Sequence, residues 1–305
     1  MNGGGAPIRA LRAAIGDGRA ALHIDWIAAT GSTNADLLAT VRAGADLSQP
    51  RLLIADRQSA GRGRQGRPWT SLPGASLTFS LAWQLERSEI DGLSLAIGSA
   101  LADALDPAST RLGLKWPNDL WLIDPGDGRA GRKLGGILIE TAPSGEGRVA
   151  VIGIGLNVLE QRVDGASSGV AWLREIDPEA TPPAVLCRAV PALLDALARF
   201  EQGGFADFAD RFAARDLLRG RAVRCGVGIA ARTRVGSGVN ASARATAEAD
   251  PDAAAIEGIA VGVSASGALL VRTERGVVPV VSGEVSVRLS GRPSMLSSDA
   301  ARSTC

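Results

Sequence analysis

SLTFSLAWQLERSEIDGLSLAIGSALADALD, Ser76–Asp106, carries two periodicities in one stretch. Ser76 to Trp83 is a short apolar run with two aromatic residues, the pattern of a buried strand. Leu93, Ile97, Leu101 and Leu105 then recur every fourth residue, which predicts an amphipathic helix over 90–106. The segments on both sides extend this mixture. Upstream, Leu22–Ala28 and Arg51–Asp56 read as strands. Between them Ser32-Thr33-Asn34 opens a helix, because such side chains cap N-termini and Leu37, Leu38 and Val41 follow at helical spacing. Downstream, strands are expected at 111–115, 119–123, 133–141 and 148–158. A helix is expected over 183–200, and Phe205, Phe208 and Phe212 share one helical face as core packing.

Around Leu218 the pattern changes to short strands at 221–225, 227–233, 257–263, 268–272, 276–281 and 284–289, which reads as a small all-β barrel. The expected organisation is an N-terminal arm over 1–20 (Gly/Ala/Arg-rich, frayed or a short helix), a main domain over 21–217, the β domain over 218–290, and a polar, disordered tail over 291–305. Two turn-rich inserts, 124–131 and 236–254, interrupt these domains.

Composition bounds the function. The chain has 305 residues, of which 46% are hydrophobic and 21% charged, the make-up of an ordinary globular protein. Lys and Arg number 33 against 32 Asp and Glu, so no general electrostatic grip on nucleic acid or anionic membrane is indicated and any positive site is local. His23 is the single histidine and sits in a strand-like Leu-His-Ile, which excludes His-rich zinc sites. Three widely spaced cysteines form neither a disulfide framework nor a metal knuckle. The N-terminus lacks the continuous apolar core of a signal peptide, and no run is long enough to span a bilayer. A cytoplasmic protein with no membrane partner is expected.

The densest chemical signal is GRGRQGRPW, Gly61–Trp69, where three arginines alternate with three glycines ahead of a tryptophan. Glycines let backbone amides approach a ligand, and arginine forks match phosphate oxygens. By itself the segment fits a phosphate-ligand loop, a nucleic-acid patch or a solvated loop. KWPNDLW (115–121) must break its strand at Pro117, which exposes Asn118 and Asp119. This is either a bulge or hairpin end, or a place where Asp119 helps hold Mg²⁺. KLGGILIE (133–140) starts a strand with Lys133 followed by two glycines, and GIGLNV (153–158) ends one with Asn157.

STN (32–34), RQSAGRGRQGRPW (57–69), KWPNDLW, KLGGILIE and GIGLNV stand in the order and rough spacing of the bacterial biotin–protein ligases, which this chain resembles from about residue 22 to 290. GEVSVR (283–288) resembles the end of that family's C-terminal barrel. The resemblance implies an α+β fold: a mixed sheet flanked by helices, of class II synthetase-like type, followed by an SH3-like β-barrel. It also implies a two-step reaction in which biotin and Mg·ATP give biotinyl-5′-AMP, and a lysine of a biotin carboxyl carrier protein of acetyl-CoA carboxylase then displaces AMP.

Carried residue by residue, the resemblance puts Ser32, Thr33, Asn34 and Gln58 on biotin's ureido end. It puts Arg62, Gly63 and Arg64 in the loop over biotin and its adenylate, and Lys133 between carboxylate and α-phosphate; Lys133, Arg62 and Arg64 are the implied catalytic groups. Arg67 and Trp69 would serve the nucleotide, Asn118, Asp119 and Asn157 would line the ATP pocket, Asp119 would meet Mg²⁺, and Gly135 and Gly136 would leave room for ligand. Departures are Gln65, where the family commonly has a base, and the 124–131 insert before Lys133. About 20 residues precede the first strand, too few for a three-helix DNA-binding module, so no DNA partner is expected. Dimerisation through sheet edges is compatible with the resemblance. The nearest alternative is a lipoate–protein ligase, and a non-catalytic RNA- or peptide-binding module is the alternative from another class.

Overall fold

The structure is a computed structural model that describes residues 5–16, 21–87, 89–124, 131–144, 147–161, 169–226, 255–281 and 286–289. Two compact units divide it. One holds the described residues up to Leu217 together with Val263–Ala268; the other holds Leu218–Gly262 and the residues from Leu269 on.

The larger unit is built on a seven-stranded mixed sheet. In chain order its elements are α1 (Gly5–Ile15), β1 (His23–Thr30), α2 (Thr33–Arg42), β2 (Arg51–Gln58), β3 (Ser76–Leu85), α3 (Leu93–Leu105), β4 (Leu112–Lys115), β5 (Asp119–Ile123), β6 (Gly131–Ser144), β7 (Gly147–Asn157), α4 (Pro182–Gly203) and α5 (Ala209–Arg215). The spatial order is β1-β2-β3-β7-β6-β5-β4. β1 and β2 run parallel and the other pairings are antiparallel. The mixed sheet flanked by helices is therefore as expected.

Alternation along the strands assigns the two faces. Leu53, Ala82, Ala142, Val149 and Val151 form one apolar cluster with Leu37, Leu38 and Val41 of α2. The opposite face carries Leu77, Phe79, Leu81, Ile137, Ile152 and Ile154, all buried. There α3 approaches so closely that a Cβ on Gly98 would stand 3.3 Å from Leu114 and 3.6 Å from Ile137. α4 runs through Pro191 and buries Val185, Leu186, Val190, Leu193, Leu194 and Leu197, the residues whose spacing predicts it. Phe205, Phe208 and Phe212 are buried as expected. Of the arm, read from sequence as frayed or a short helix, Gly5–Ile15 is a helix that contacts α4 and buries Leu11 and Ile15, its apolar residues falling four apart.

The smaller unit contains β8 (Ala222–Gly226), β9 (Ala255–Val263), β10 (Leu269–Thr273), β11 (Gly276–Val280) and β12 (Ser286–Leu289). They form a sheet ordered β11-β10-β9-β8-β12, a meander whose last strand returns to pair with its first. It is a small β domain. The strand expected at 227–233, the inserts over 125–130 and 236–254, and the tail from 291 lie outside the described residues. Among the described residues no helix is long and apolar enough to cross a membrane.

Candidate active site

On the α2 side of the sheet, bulky residues give way to glycine just beyond the N-terminus of α2. Val149, Val151, Gly153, Gly155 and Asn157 of β7 share this face, beside Ala142, Glu140, Leu138 and Gly136 of β6, which pair with the first four in register. Each of these three glycines is dictated by a neighbour. A Cβ on Gly153 would stand 2.3 Å from Asn34 Oδ1, one on Gly155 2.4 Å from the Trp69 indole, and one on Gly136 3.3 Å from Asp119 Oδ1 and 3.4 Å from Lys133 Nζ. The glycines make a floor, and the side chains named by the sequence motifs stand around it.

At one end lies a hydrogen-bonded polar chain. Ser32 caps α2, its Oγ accepting from Ala35 N at 3.5 Å. Thr33 donates to Gln58 Oε1 from its backbone N (2.7 Å) and lies 3.0 Å from it through Oγ1. Thr33 Oγ1 is also 2.6 Å from Ser80 Oγ, which donates to Asn34 Oδ1 at 2.6 Å. Asn34 Nδ2 donates to Glu140 Oε2 (2.9 Å) and the Leu138 carbonyl (3.4 Å). A hydroxyl has one proton and two lone pairs. With Ser80's proton committed to Asn34, Thr33 must donate to Ser80, and Gln58 Oε1 keeps the Thr33 backbone amide. Thr33, Asn34 and Ser80 are all buried. Ser80 and Glu140 are missing from the sequence reading, yet they fix the groups it names.

At the other end is a cluster of charge. Lys133 Nζ forms an ion pair with Asp119 Oδ1 at 2.7 Å and lies 6.0 Å from the Trp69 ring centroid. A β-bulge aims it there: Leu120 pairs with Gly135 but Trp121 pairs with Lys133, so Leu134 has no opposite residue. The extra residue reverses the alternation and brings Lys133 to the face of Gly136. Lys115 Nζ rests 4.4 Å from the Trp121 ring centroid. Burial holds its ammonium below the ordinary lysine value, with Lys133 and Arg67 pushing the same way and Asp119 opposing. Burial likewise lowers Arg64, with Asp119 opposing and Arg67 assisting. Arg64, Lys115 and Lys133 thus share the field of Asp119, with Arg67 a like charge close to the first two. Lys115, to which the sequence reading gave no role, joins this charge cluster. Its place in KWPNDLW looks like a strand flank until the β4–β5 hairpin, with Lys115 opposite Asp119, folds it inward.

The Gly61–Trp69 loop closes on itself. Gly63 N donates to Arg67 O (2.7 Å) and Trp69 N to Gly61 O (2.8 Å), around a short 3₁₀ turn over Arg64–Gly66. The turn needs left-handed backbone at Gln65 (φ 57°) and Gly66 (φ 69°), a conformation glycine adopts freely and glutamine does not. Trp69 Nε1 is buried and has no hydrogen-bond partner among the described residues.

Not every expected residue enters the site. Arg62 stands exposed and pairs through its backbone with Pro68. Asn157 is occupied structurally: its Oδ1 accepts from Gln161 Nε2 at 2.6 Å and its Nδ2 donates to Lys133 O at 3.5 Å. Asn118 Nδ2 donates to Ile137 O at 2.8 Å and so pins the KWPND turn to β6. Gly135 does not make room for a ligand: its Cβ would strike the Gly155 carbonyl at 2.5 Å and Leu156 at 2.6 Å, so strand packing requires it, while Gly136 beside it borders the Asp119–Lys133 pair.

Residues 27–157 match the Biotin/lipoate A/B protein ligase family, and residues 249–288 match the Biotin protein ligase C terminal domain. The chain is 33% identical over 263 residues to the Escherichia coli bifunctional ligase/repressor BirA, covering 84% of this chain and 71% of that protein. It is 32% identical over 279 residues to the biotin--[acetyl-CoA-carboxylase] ligase of Paracoccus denitrificans, covering 85% of this chain and 98% of that one. Among solved structures, the biotin protein ligase from Aquifex aeolicus in complex with biotin and ATP superposes with a TM-score of 0.67 at 27% identity, over 88% of this chain and 99% of that chain.

Proposed function

Because this chain belongs to the biotin protein ligase family, we propose that the glycine-floored face between the Thr33–Asn34 chain and Lys133 is where it brings biotin and ATP together. The protein is an ATP-dependent biotin–protein ligase. A biotin carboxylate oxygen attacks the α-phosphorus of ATP, and the bond to the β-phosphate breaks, releasing pyrophosphate and leaving biotinyl-5′-AMP. The amine of a carrier-domain lysine then attacks the acyl carbon, AMP departs, and the amine loses a proton as the amide forms.

The observation that carries the site assignment is the local concentration of positive charge around Asp119: Lys133 pairs with it, Lys115 and Arg64 lie in its field with burial lowering both, and Arg67 stands close enough to oppose the charge of those two. Such a cluster suits a polyanion, and little proton transfer is needed in adenylation, so preorganised charge is the main catalytic device. Lys133, held by Asp119 beside Gly136 of the floor, offsets repulsion between carboxylate and α-phosphate. Thr33 and Gln58 present a hydroxyl and an amide to the ureido group, while Asn34, held by Ser80 and Glu140, fixes the floor beneath it. Arg64 and Arg67 serve the phosphates, Trp69 gives the ligand a flat wall, and Arg62, exposed in this state, reaches the adenylate when the loop folds over it. Covering the anhydride keeps water from it between the two steps.

Among the described residues no group of three or more His, Cys, Asp or Glu could hold a metal ion. Mg²⁺ shares phosphate oxygens and needs few protein carboxylates, so Asp119 is the residue that would hold it beside ATP's phosphates. When bound, the ion would neutralise phosphate charge. A carrier from acetyl-CoA carboxylase and a cytoplasmic setting complete the reading.

Incubation with biotin, Mg·ATP and an acetyl-CoA carboxylase carrier domain, followed by intact mass, tests it. One added biotinyl group per carrier, lost when biotin or ATP is withheld, supports the assignment. Transfer of lipoate in preference to biotin refutes it.

A further inference from the structure

Where β7 ends, a different piece of chain takes its place against β6. Lys133 N donates to the Gly169 carbonyl at 3.3 Å, and Ala171 N donates to the Lys133 carbonyl at 2.9 Å, a parallel bridge at the bulge that aims the Lys133 side chain. A bulge interrupts the regular ladder, so the backbone of Lys133 depends on this added strand for its alignment.

The added strand is clipped by Arg132. Its Nη1 donates to the Val170 carbonyl (3.1 Å) and to Glu175 Oε1 (3.0 Å), its Nη2 to Glu175 Oε2 (2.7 Å) and Asp124 Oδ1 (2.7 Å), and its Nε to Asp124 Oδ1 (3.1 Å). All five guanidinium donors are thereby used. Two carboxylates and a carbonyl hold one rigid fork, which raises the Arg132 pKa above its ordinary value, Glu175 contributing most. Glu175 is itself tied down, its Oε1 accepting from Trp172 N at 3.1 Å. Gly169 has φ 69°, and a Cβ there would stand 2.9 Å from Arg132 Cγ, so the strand is shaped to lie against this side chain.

We propose that Arg132 is a positioning residue for Lys133: by locking Asp124 and the Gly169–Glu175 segment to either side of β6, it sets the direction in which Lys133 Nζ points. This rests on the ligase reading of the Lys133 site. Arg132 itself faces the clip and touches no substrate.

The test is Arg132→Gln in the full chain, read two ways. Biotin-dependent ATP–pyrophosphate exchange should lose about 10²-fold in kcat, the scale of a misplacement near 1 Å, with KM for biotin unchanged because the Thr33–Asn34 chain lies at the other end of the floor. Arg132→Lys should restore part of the loss, since an ammonium pairs with one carboxylate but cannot fork. Independently of activity, acetylation of Lys133 Nζ by acetic anhydride, followed by peptide mass, should be faster in Arg132→Gln than in the wild type, because the ammonium leaves Asp119. In a Lys133→Ala background, Arg132→Gln should slow the residual exchange no further. Wild-type kcat with wild-type acetylation overturns the proposal, as does an additive loss in the double variant. If Arg132→Gln fails to fold, Glu175→Gln, which keeps the guanidinium and its Asp124 pair, carries the same readings. Absence of biotin-dependent exchange in the wild type would refute the ligase reading alone, and the acetylation rates would still decide the role of Arg132.

Discussion

Lys133→Ala separates chemistry from stability. Its ammonium is 2.7 Å from Asp119, with side chains 31% and 21% exposed. An ion pair this open to water contributes about 0–1 kcal/mol to folding. Even that is offset, because Lys133 also disfavours the charged form of the half-buried Lys115. The substitution should therefore move the melting temperature by no more than roughly 2–4 °C, the shift that about 1 kcal/mol produces in a domain of this size. The transition state is another matter. With the alanine in place, the biotin carboxylate and the α-phosphate must approach without the cation that the bulge at Leu134 aims at them. Loss of one preorganised charge-stabilising group costs about 10²–10³ in rate, or about 3–4 kcal/mol. Biotin-dependent ATP–pyrophosphate exchange measures the rate, and a thermal melt measures the fold. Exchange within about threefold of wild type, a change of about 0.65 kcal/mol in barrier, would refute the role given to Lys133. A melting loss well beyond the predicted window would refute the claim that the pair is structurally dispensable.

Three further outcomes follow from the same geometry. Gly155→Ala places a Cβ 2.4–2.7 Å from the Trp69 indole, so the half-buried ring must shift; overpacking of this kind costs roughly 1–3 kcal/mol, and isothermal titration should show weakened ATP binding, whereas unchanged stability and affinity would mean the ring does not pack on this floor. Thr33→Val leaves Ser80 without its hydroxyl donor, a buried loss of roughly 1–3 kcal/mol, and should raise KM for biotin while leaving kcat nearly intact; a fall in kcat alone would contradict it. Lys115 in the folded chain loses its proton below the ordinary value of 10.5, so between the two values the unfolded chain binds more protons and stability rises with pH. Urea midpoints of wild type relative to Lys115→Met should therefore climb through that window while ATP affinity falls, and parallel pH profiles of the two proteins would exclude it.

The sequence made the fold legible wherever burial has a period. Leu93, Ile97, Leu101 and Leu105 mark α3 because one face of it must be apolar, and all four are buried. The segment before β1 stayed open between a frayed arm and a short helix because Gly/Ala/Arg composition conceals a pair of apolar residues four apart, Leu11 and Ile15, whose partner helix lies far along the chain. The site was legible where chemistry demands a residue type. Glycines at 153 and 155 alternate with apolar residues in a strand, which marks one face stripped of side chains; that signal could have identified the floor before any coordinates. Asn157 shows the opposite case: a polar residue at a strand end looks available until its partner Gln161 is placed.

What sequence could not disclose is the arrangement that depends on register. Lys133 faces the site only because Leu134 is left over in the β5–β6 pairing, and a single-residue slip would send the ammonium to the other face. The neighbours that hold the bulge, Asp124 on one side and Gly169–Glu175 on the other, come from segments that no local pattern links to KLGGILIE. The same reasoning accounts for Gly135 and Gly136, which are identical in sequence terms and different in cause: one gives way to a carbonyl of β7 and the other to an ion pair. Replacing them should therefore have separable effects. Alanine at 135 collides with backbone that cannot move without breaking the β6–β7 ladder and should lower stability, whereas alanine at 136 presses on side chains at 3.3–3.4 Å and should lower activity first. Thermal melts and pyrophosphate exchange on the two variants would separate these effects, and the reverse pattern would mean that the floor of the site has been assigned to the wrong face of the sheet.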